Sequence, residues 1–547
     1  MGQTHEAAFP RLTDAEIAHI RPLATVRDYA DGETIFRVGQ ADIDLNIVES
    51  GQIEIRNPMD GHRVIAVHEP GGFSGDIDLL TGRPVIVSAL ARGPTRLLCV
   101  PGSQLRALLN RVPTFGEKLI VAFTYRRKML METGMVGLRV VGPGRCRDTN
   151  TVREFLYKNF VPFVWLDTET DAGQKALVAL GSPRHTPVIE CGDGRVLVNP
   201  TLQKLASETG IWRHCPSQDI DFAIVGAGPA GIAAAVYASS EGLSTLMLDR
   251  LGPGGQAGGS SRIENFIGFP AGLSGAELAT RGVLQMLKFG AKIIAPVAVE
   301  KLTPAKSADD FHLLRLDCGA EIRCRVVLLA LGIRWRRLEA DGAERLEGAG
   351  IYYACTTVEA DLFNGSDVAV VGGGNSAGQA AMFLAECCPT RKVHMLIRRK
   401  LGPGMSDYLS RRIRATANVV VQEQSEIAAV HGKHRVEEIS LRTDGAEVPR
   451  RVPCSAVFVF IGAEPAAEWL PPELARDANG YLLTGTDVVR SGLWPRADRD
   501  PCPLETTIPR VLAAGDIRSG STKRVGFAVG DGSLAVTCAH RLLSITR

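Results

Sequence analysis

The stretch Asp221-Phe222-Ala223-Ile224-Val225-Gly226-Ala227-Gly228-Pro229-Ala230-Gly231 decides the fold of the C-terminal half. An apolar strand runs straight into glycines spaced G-x-G-x-x-G, and the small residues from Ala230 to Ser240 predict a helix behind them. Gly226 permits a tight turn, Gly228 lets the backbone approach a pyrophosphate, and Gly231 lets helix and strand pack closely. Pro229 and Ala230 open the helix, whose N-terminus faces the phosphates. The next strand, Thr245-Leu246-Met247-Leu248, ends in Asp249. An acid about 20 residues beyond the glycines accepts ribose hydroxyls where no 2′-phosphate is present.

The design recurs. Asp367 to Val371 leads into Gly372-Gly373-Gly374-Asn375-Ser376-Ala377, and Ala377 to Cys387 predicts a helix. Here the partner strand, Lys392 to Ile397, ends in Arg398-Arg399-Lys400, a basic end that accommodates a 2′-phosphate. One acid-ended and one base-ended site on a single chain predict FAD at the first and NADPH at the second. Further on, Val511 to Asp516 is a strand ending in Gly515 and Asp516, with Asp516 placed for the FAD ribitol. Arg524 and Val525 precede a predicted helix from Gly526 to Leu543 that would aim its positive end at the flavin. Leu328 to Gly332 reads as a strand and turn returning the chain between domains.

Residues 220 to 547 are similar to low-molecular-weight thioredoxin reductases. The matching pieces are Gly254-Gly255-Gln256, Ile263-Glu264-Asn265-Phe266-Ile267-Gly268-Phe269-Pro270, the Gly372 to Ala377 turn, Arg398-Arg399 and Ala514-Gly515-Asp516. The resemblance implies FAD contacts from Gln256, Asn265 and Asp516, a homodimer, and an NADPH-binding domain (336–462) inserted between two FAD-binding segments (217–335 and 463–547). That family places a redox-active C-x-x-C before the second nucleotide strand. Here the stretch is Cys355-Thr356-Thr357-Val358-Glu359. With Val358 in place of the second Cys, no disulfide can form within the motif.

Length and composition set the frame. The chain has 547 residues, enough for three to five domains, and 58 glycines suit an α/β protein rich in tight turns. A net charge of +2 gives no reason to expect a nucleic-acid or anionic-membrane surface. No apolar run reaches the roughly 20 residues of a membrane span, and Met1 to Pro10 lacks a signal-peptide pattern. The 12 cysteines include no C-x-x-C pair, which points to reduced thiols in a cytoplasmic protein, and no metal site is expected.

Before residue 134 the chain reads as short strands between glycines: Glu33–Val38, Leu45–Glu49, Ile53–Arg56, Arg63–His68, Val85–Ala91 and Thr95–Val100. A helical stretch, Ser103 to Met131, follows, with a break at Pro113. Residues 1–134 resemble the cyclic-nucleotide-binding family, on Asp31-Gly32-Glu33-Thr34-Ile35-Phe36, Glu49 to Ile55 and Phe73-Ser74-Gly75-Asp76-Ile77. The resemblance implies a β jelly-roll and a cyclic-nucleotide ligand held by Gly75-Asp76 and a later Arg. The Arg position is Val85, so that charge-assisted contact is missing. Arg83, two residues earlier, would face the same pocket by strand alternation.

Residues 138–216 alternate strands with helices, the first helix expected from Thr151 to Asn159, and close on a hairpin at Gly192-Asp193-Gly194. This looks like a thioredoxin or glutaredoxin fold. Thr186-Pro187 matches that family's cis-proline. Where its C-x-x-C should stand is Gly142-Pro143-Gly144-Arg145-Cys146-Arg147, and the flanking arginines would favour a thiolate at Cys146.

Three functions compete. In the first, electrons pass from NADPH through FAD to a small-molecule or protein acceptor, with the cofactors carrying the chemistry. In the second, disulfides are reduced through a rearranged Cys355/Cys146 relay. In the third, the chain is a redox or cyclic-nucleotide sensor. The gap at Val358 favours the first.

Overall fold

The computed structural model describes residues 6–57, 61–133, 137–212, 218–260, 262–307, 309–355, 357–402, 404–443 and 448–545. In the N-terminal region an antiparallel sheet holds Thr25–Tyr29, Thr34–Phe36, Leu45–Asn57, Arg63–His68 and Ser88–Val100. Two pairs of expected short strands are each one long strand: Leu45–Asn57 runs through Gly51, and Ser88–Val100 runs through Gly93. Their pairing slips at Val48/Ser50 and Ser50/Gln52. The chain therefore bends by bulges where turns were expected, because an unpaired extra residue twists a strand without ending it. The helical stretch breaks as expected, into Gly102–Arg111 and Pro113–Thr133. Leu105, Leu108, Leu109, Phe115 and Leu119 are buried against the sheet.

Next, Leu138–Val141 pairs in parallel with Phe163–Leu166 and antiparallel with Val188–Glu190, which forms a hairpin with Val196–Val198. The helices Arg147–Lys158, Asp171–Ala179 and Leu202–Glu208 complete a strand–helix alternation closed by a hairpin. The Thr186–Pro187 peptide is cis. The first helix starts at Arg147 rather than Thr151, which makes Cys146 its N-cap residue.

Beyond residue 218 lie two α/β halves, each built around a core of parallel strands. The first sheet runs in the order Lys292–Ile294, Thr245–Leu248, Ile220–Val225, Glu321–Leu329, His312–Leu316, Val299–Thr303, and Val511–Ala513 pairs in parallel with Glu321–Leu329. The second is all parallel: Ile351–Tyr352, Ala456–Val459, Val368–Val371, Val393–Ile397, Val419–Glu423. The central strands are apolar because both faces are covered, one by helices and the other, in the second half, by the antiparallel strands Ser425–His431, Glu438–Thr443 and Arg450–Pro453. The chain crosses between the halves at a two-stranded ladder, Ile333–Trp335 with Ala463–Pro465. One apolar cluster joins the N-terminal sheet to the first half, uniting Phe73, Phe115 and Phe123 with Phe222, Met247 and Leu512.

Candidate functional site: two glycine turns and a buried thiol

The first glycine turn forms as the sequence predicts. Val225 ends its strand, Gly226 takes φ +109°, and the helix Pro229–Ser240 starts at once. A Cβ on Gly226 would lie 2.3 Å from the Ala330 carbonyl, and one on Gly231 would lie 2.0 Å from the Gly226 carbonyl, so no larger residue fits either place. Gly255 closes over this turn, where a Cβ on it would lie 2.9 Å from the Gly228 Cα, and the Gly254 N–H donates to the Ala227 carbonyl at 2.8 Å. The Gln256 side-chain amide donates to the Ile333 carbonyl, tying this loop to the crossover just beyond Gly332.

Asp249 sits half-buried at the end of its strand, as expected, and is also a local clamp. Its carboxylate accepts the N–H of Ala227 at 2.8 Å, Leu251 at 2.9 Å and Gly252 at 2.8 Å. These bonds fix the glycine turn against the strand end while leaving oxygen lone pairs for a ribose. Asn265 is exposed and lines an open cavity of about 360 Å³ with Phe266, Ile267 and Phe269. Gly515 and Asp516 follow Val511–Ala513 in a single 3₁₀ turn. Burial pushes the Asp516 carboxyl up, opposed by Lys523. The helix behind them starts at Val525, with Arg524 exposed just before it.

The second turn repeats the first. Gly372 has φ +141°, and its missing Cβ would lie 2.4 Å from the Phe460 carbonyl. Gly374 is the N-cap of the helix Asn375–Cys387, the Asn375 Oδ1 accepts the Ser406 N–H at 2.8 Å, Ser376 is exposed and Ala377 is buried. Arg398 and Arg399 are exposed at the end of Val393–Ile397. Neither glycine-turn helix carries a side-chain cap, so first-turn N–H groups at both are available to a phosphate. Glycine cradles that admit no Cβ, uncapped helix ends, an acid behind one turn and two arginines behind the other fit one dinucleotide each.

Sequence reasoning missed Asp531. From the second turn of the helix Val525–Ile545 its carboxylate accepts the Gly515 N–H at 2.9 Å and pairs with Arg518 at 3.2 Å. An acid on the inward face of that helix was the available signal. It also missed Lys523, which donates to the Asp516 carbonyl and stands 4.1 Å from the Tyr481 ring.

Cys355 lies 7% exposed in an apolar cluster with Tyr352, Ala360 and Phe363. Burial pushes its thiol well above the ordinary range, and Glu359 adds to the shift. Thr356 and the side chain of Val358 lie outside the described residues. Cys146 is half-buried at its helix N-terminus, and both thiols are free. The loop and helix around Cys146 rest on the Cys355 segment. Arg145 stands over the Phe363 ring at 5.2 Å, and Asn150 Nδ2 donates to the Gly348 carbonyl at 3.1 Å.

In the N-terminal domain the expected ligand groups are committed elsewhere. Asp76 pairs with Arg127 at 2.5 Å, and the Gly75 carbonyl accepts from Arg126 at 2.7 Å. Arg83 does not turn into a pocket; it donates to the Asn159 carbonyl at 2.6 Å in the next module. It lies in the loop before Ser88–Val100, where strand alternation does not apply. Val85 is buried.

Residues 220–532 match the pyridine nucleotide-disulphide oxidoreductase family. The chain belongs to that family. Residues 26–112 match the cyclic nucleotide-binding domain. This oxidoreductase is similar to a thioredoxin reductase of Treponema pallidum, 31% identical over 321 residues, covering 59% of this chain and 96% of that one. It is similar also to an NADH dehydrogenase of Bacillus subtilis, 29% identical over 359 residues and 64% of each chain. Among solved structures, the thioredoxin reductase of T. acidophilum matches with a TM-score of 0.52 at 26% identity, over 60% of this chain and all of that one. The oxidoreductase is a multidomain enzyme of thioredoxin-reductase type, and its cofactors are FAD and NADPH.

Proposed function

We propose that this oxidoreductase passes electrons from NADPH through FAD to a small-molecule or protein acceptor without a C-x-x-C disulfide. Bound at the two turns, the cofactors supply hydride transfer from nicotinamide to flavin. The residues assigned to FAD are Gly226, Gly228, Pro229, Ala230, Gly231, Asp249, Gly255, Gln256, Asn265, Gly332, Gly515, Asp516, Arg524 and Val525. Those assigned to NADPH are Gly372, Gly374, Asn375, Ser376, Ala377, Arg398 and Arg399. Arg398 and Arg399 hold the 2′-phosphate as paired cations, and Asp531 positions the Gly515–Asp516 turn through its bond to the Gly515 N–H.

The observation that carries this reading is the state of Cys355. Its thiol is buried among apolar side chains, raised out of the thiolate range, and followed by Val358 where a second sulfur would have to be. A buried neutral thiol is a poor nucleophile and a poor leaving group. In purified FAD-loaded protein, NADPH should bleach the flavin and a quinone or oxygen should restore it, equally in wild type and Cys355→Ser. A Cys355→Ser variant whose flavin is reduced but no longer reoxidised by any such acceptor would remove the proposal.

One observation favours disulfide reduction through Cys355 and Cys146: the contacts from Arg145 and Asn150 bring the Cys146 loop to the Gly348–Phe363 segment that holds Cys355. That reading requires disulfide turnover to vanish in both Cys355→Ser and Cys146→Ser. The N-terminal domain serves as a docking module in either case, because Asp76 and Arg83 already have protein partners. Cyclic AMP and cyclic GMP are then expected to leave turnover unchanged. A homodimer is the assembly that the resemblance to thioredoxin reductases suggests, and light scattering on the purified chain tests it; the lack of any C-x-x-C pair among the cysteines supports a cytoplasmic location.

A further inference from the structure

The helix Arg147–Lys158 touches both halves of the flavoprotein, one at each end. At its N-terminal end Asn150 Nδ2 donates to the Gly348 carbonyl at 3.1 Å, in the second half. A Cβ on Gly348 would come within 3.1 Å of the Arg147 Cα, so the two backbones meet there with no room between them. Arg145, just before the helix, stands over Phe363 of the same half. At the C-terminal end Asn159, only 2% exposed, donates to the Leu251 carbonyl of the first half at 2.7 Å and caps its own helix at the Phe155 carbonyl at 2.8 Å. A Cβ on Gly252 would lie 2.7 Å from the same Asn159 amide.

The same end is gripped a second time. Arg83 donates to the Asn159 carbonyl at 2.6 Å and Arg127 to the Phe160 carbonyl at 2.8 Å. Arg127 is itself buried and held by Asp76 at 2.5 Å and Asp78 at 2.6 Å. Phe160 takes φ +58°, a conformation a bulky residue adopts only when its surroundings enforce it. The N-terminal sheet that neighbours these arginines shares its apolar cluster with the first half. Where the chain crosses between the halves, its two passes form one short ladder, Ile333–Trp335 with Ala463–Pro465.

We infer that the helix Arg147–Lys158 is a brace that holds the FAD and NADPH halves in one relative orientation. A two-stranded crossover is a natural hinge, since few residues need change conformation for the halves to turn. A helix is stiff along its axis, and this one is pinned to one half by Asn150 and to the other by Asn159. Rotation about the ladder must break one of the two attachments. The inference is independent of which acceptor takes the electrons.

The test is a distance measurement on the full FAD-loaded chain. Spin labels carried on unnatural side chains at Lys301 and Arg411, both exposed, report the separation of the halves by double electron–electron resonance. Wild type should give one narrow distance, and Asn150→Ala with Asn159→Ala should give a broad or split one. Gly348→Leu, which crowds Arg147 while leaving both asparagines in place, should do the same and serves alone if the double variant does not fold. A split distance in wild type, or the same narrow distance in every folded variant, overturns the inference.

Discussion

At the scale of single residues, the charge at the strand end separates the two nucleotide sites, Asp249 behind the first turn and Arg398 and Arg399 behind the second. Arg398 and Arg399 are exposed behind the second turn, without an ion-pair partner among the described residues. Replacing either by Ala should raise KM for NADPH about tenfold, as expected for a lost charge-assisted contact of about 1.5 kcal/mol, and leave kcat and the KM for NADH nearly unchanged. Equal losses with both nucleotides would show that the arginines do not read the 2′-phosphate. Two buried histidines contribute to the acid sensitivity of the fold. Burial, with Arg126 nearby, depresses His68 to about 3, and burial with Arg510 does the same to His312. Both titrate near 6.5 when unfolded. Their folded pKa values are depressed, so their contribution is complete above about pH 6.5 and is lost as pH falls toward 3, because the unfolded chain takes up the protons first. The loss approaches about 1.4 kcal/mol per pH unit for each group. Thermal melts from about pH 7 to 5 should therefore fall less steeply in His68→Gln than in wild type, given that unfolded pKa near 6.5. Parallel slopes would contradict the assignment.

At the scale of elements, the helix Val525–Ile545 organises the first site from behind. It packs on the helix Pro229–Ser240 so closely that a Cβ on Gly532 would lie 2.2 Å from the Ala230 carbonyl. Gly532→Leu must push the two helices apart and should destabilise by about 1–3 kcal/mol, the usual cost of overpacking. Asp531, one residue away, ties the same helix to the Gly515 N–H. Asp531→Ala should weaken FAD retention severalfold, read as Kd by fluorescence titration, with a melting temperature lowered by the loss of about 1–3 kcal/mol of charged hydrogen bonding. Unchanged FAD affinity with a lowered melting temperature would leave Asp531 a structural residue only.

At the scale of the whole molecule, the packed regions are joined by a shared apolar cluster and by a few polar contacts with large consequences. Arg127 is the most loaded of these, holding Asp76, Asp78 and the Phe160 carbonyl from a buried position. Arg127→Gln leaves two buried carboxylates facing each other and should cost about 3–5 kcal/mol. Calorimetry should then show the N-terminal domain and residues 138–212 melting together and earlier, while the flavin absorbance melts at its original temperature. A transition confined to the N-terminal module would mean that the grip on Phe160 carries little coupling.

The glycine turns, the Asp249 and Arg398 strand ends, the inserted order of the two halves and the cis Thr186–Pro187 peptide were all legible in the sequence. The turns and strand ends follow local rules, a backbone path that only glycine permits and a charge at a strand end, whereas the inserted order and the cis proline were expected from the resemblances to thioredoxin reductases and thioredoxins. The bulged course of Leu45–Asn57 was not, since a glycine in a strand and a glycine in a turn look alike until the partner strand is placed. Nor was the burial of Cys355, the commitment of Arg83 to Asn159, or the double attachment of the helix Arg147–Lys158. By itself the sequence determined which cofactors the chain is built for, because that chemistry is written in short contiguous motifs. Only the tertiary structure decided what the thiols and arginines outside those motifs touch, because their partners lie far away along the chain and meet only when the modules pack, as Asn150 and Gly348 do across 198 positions.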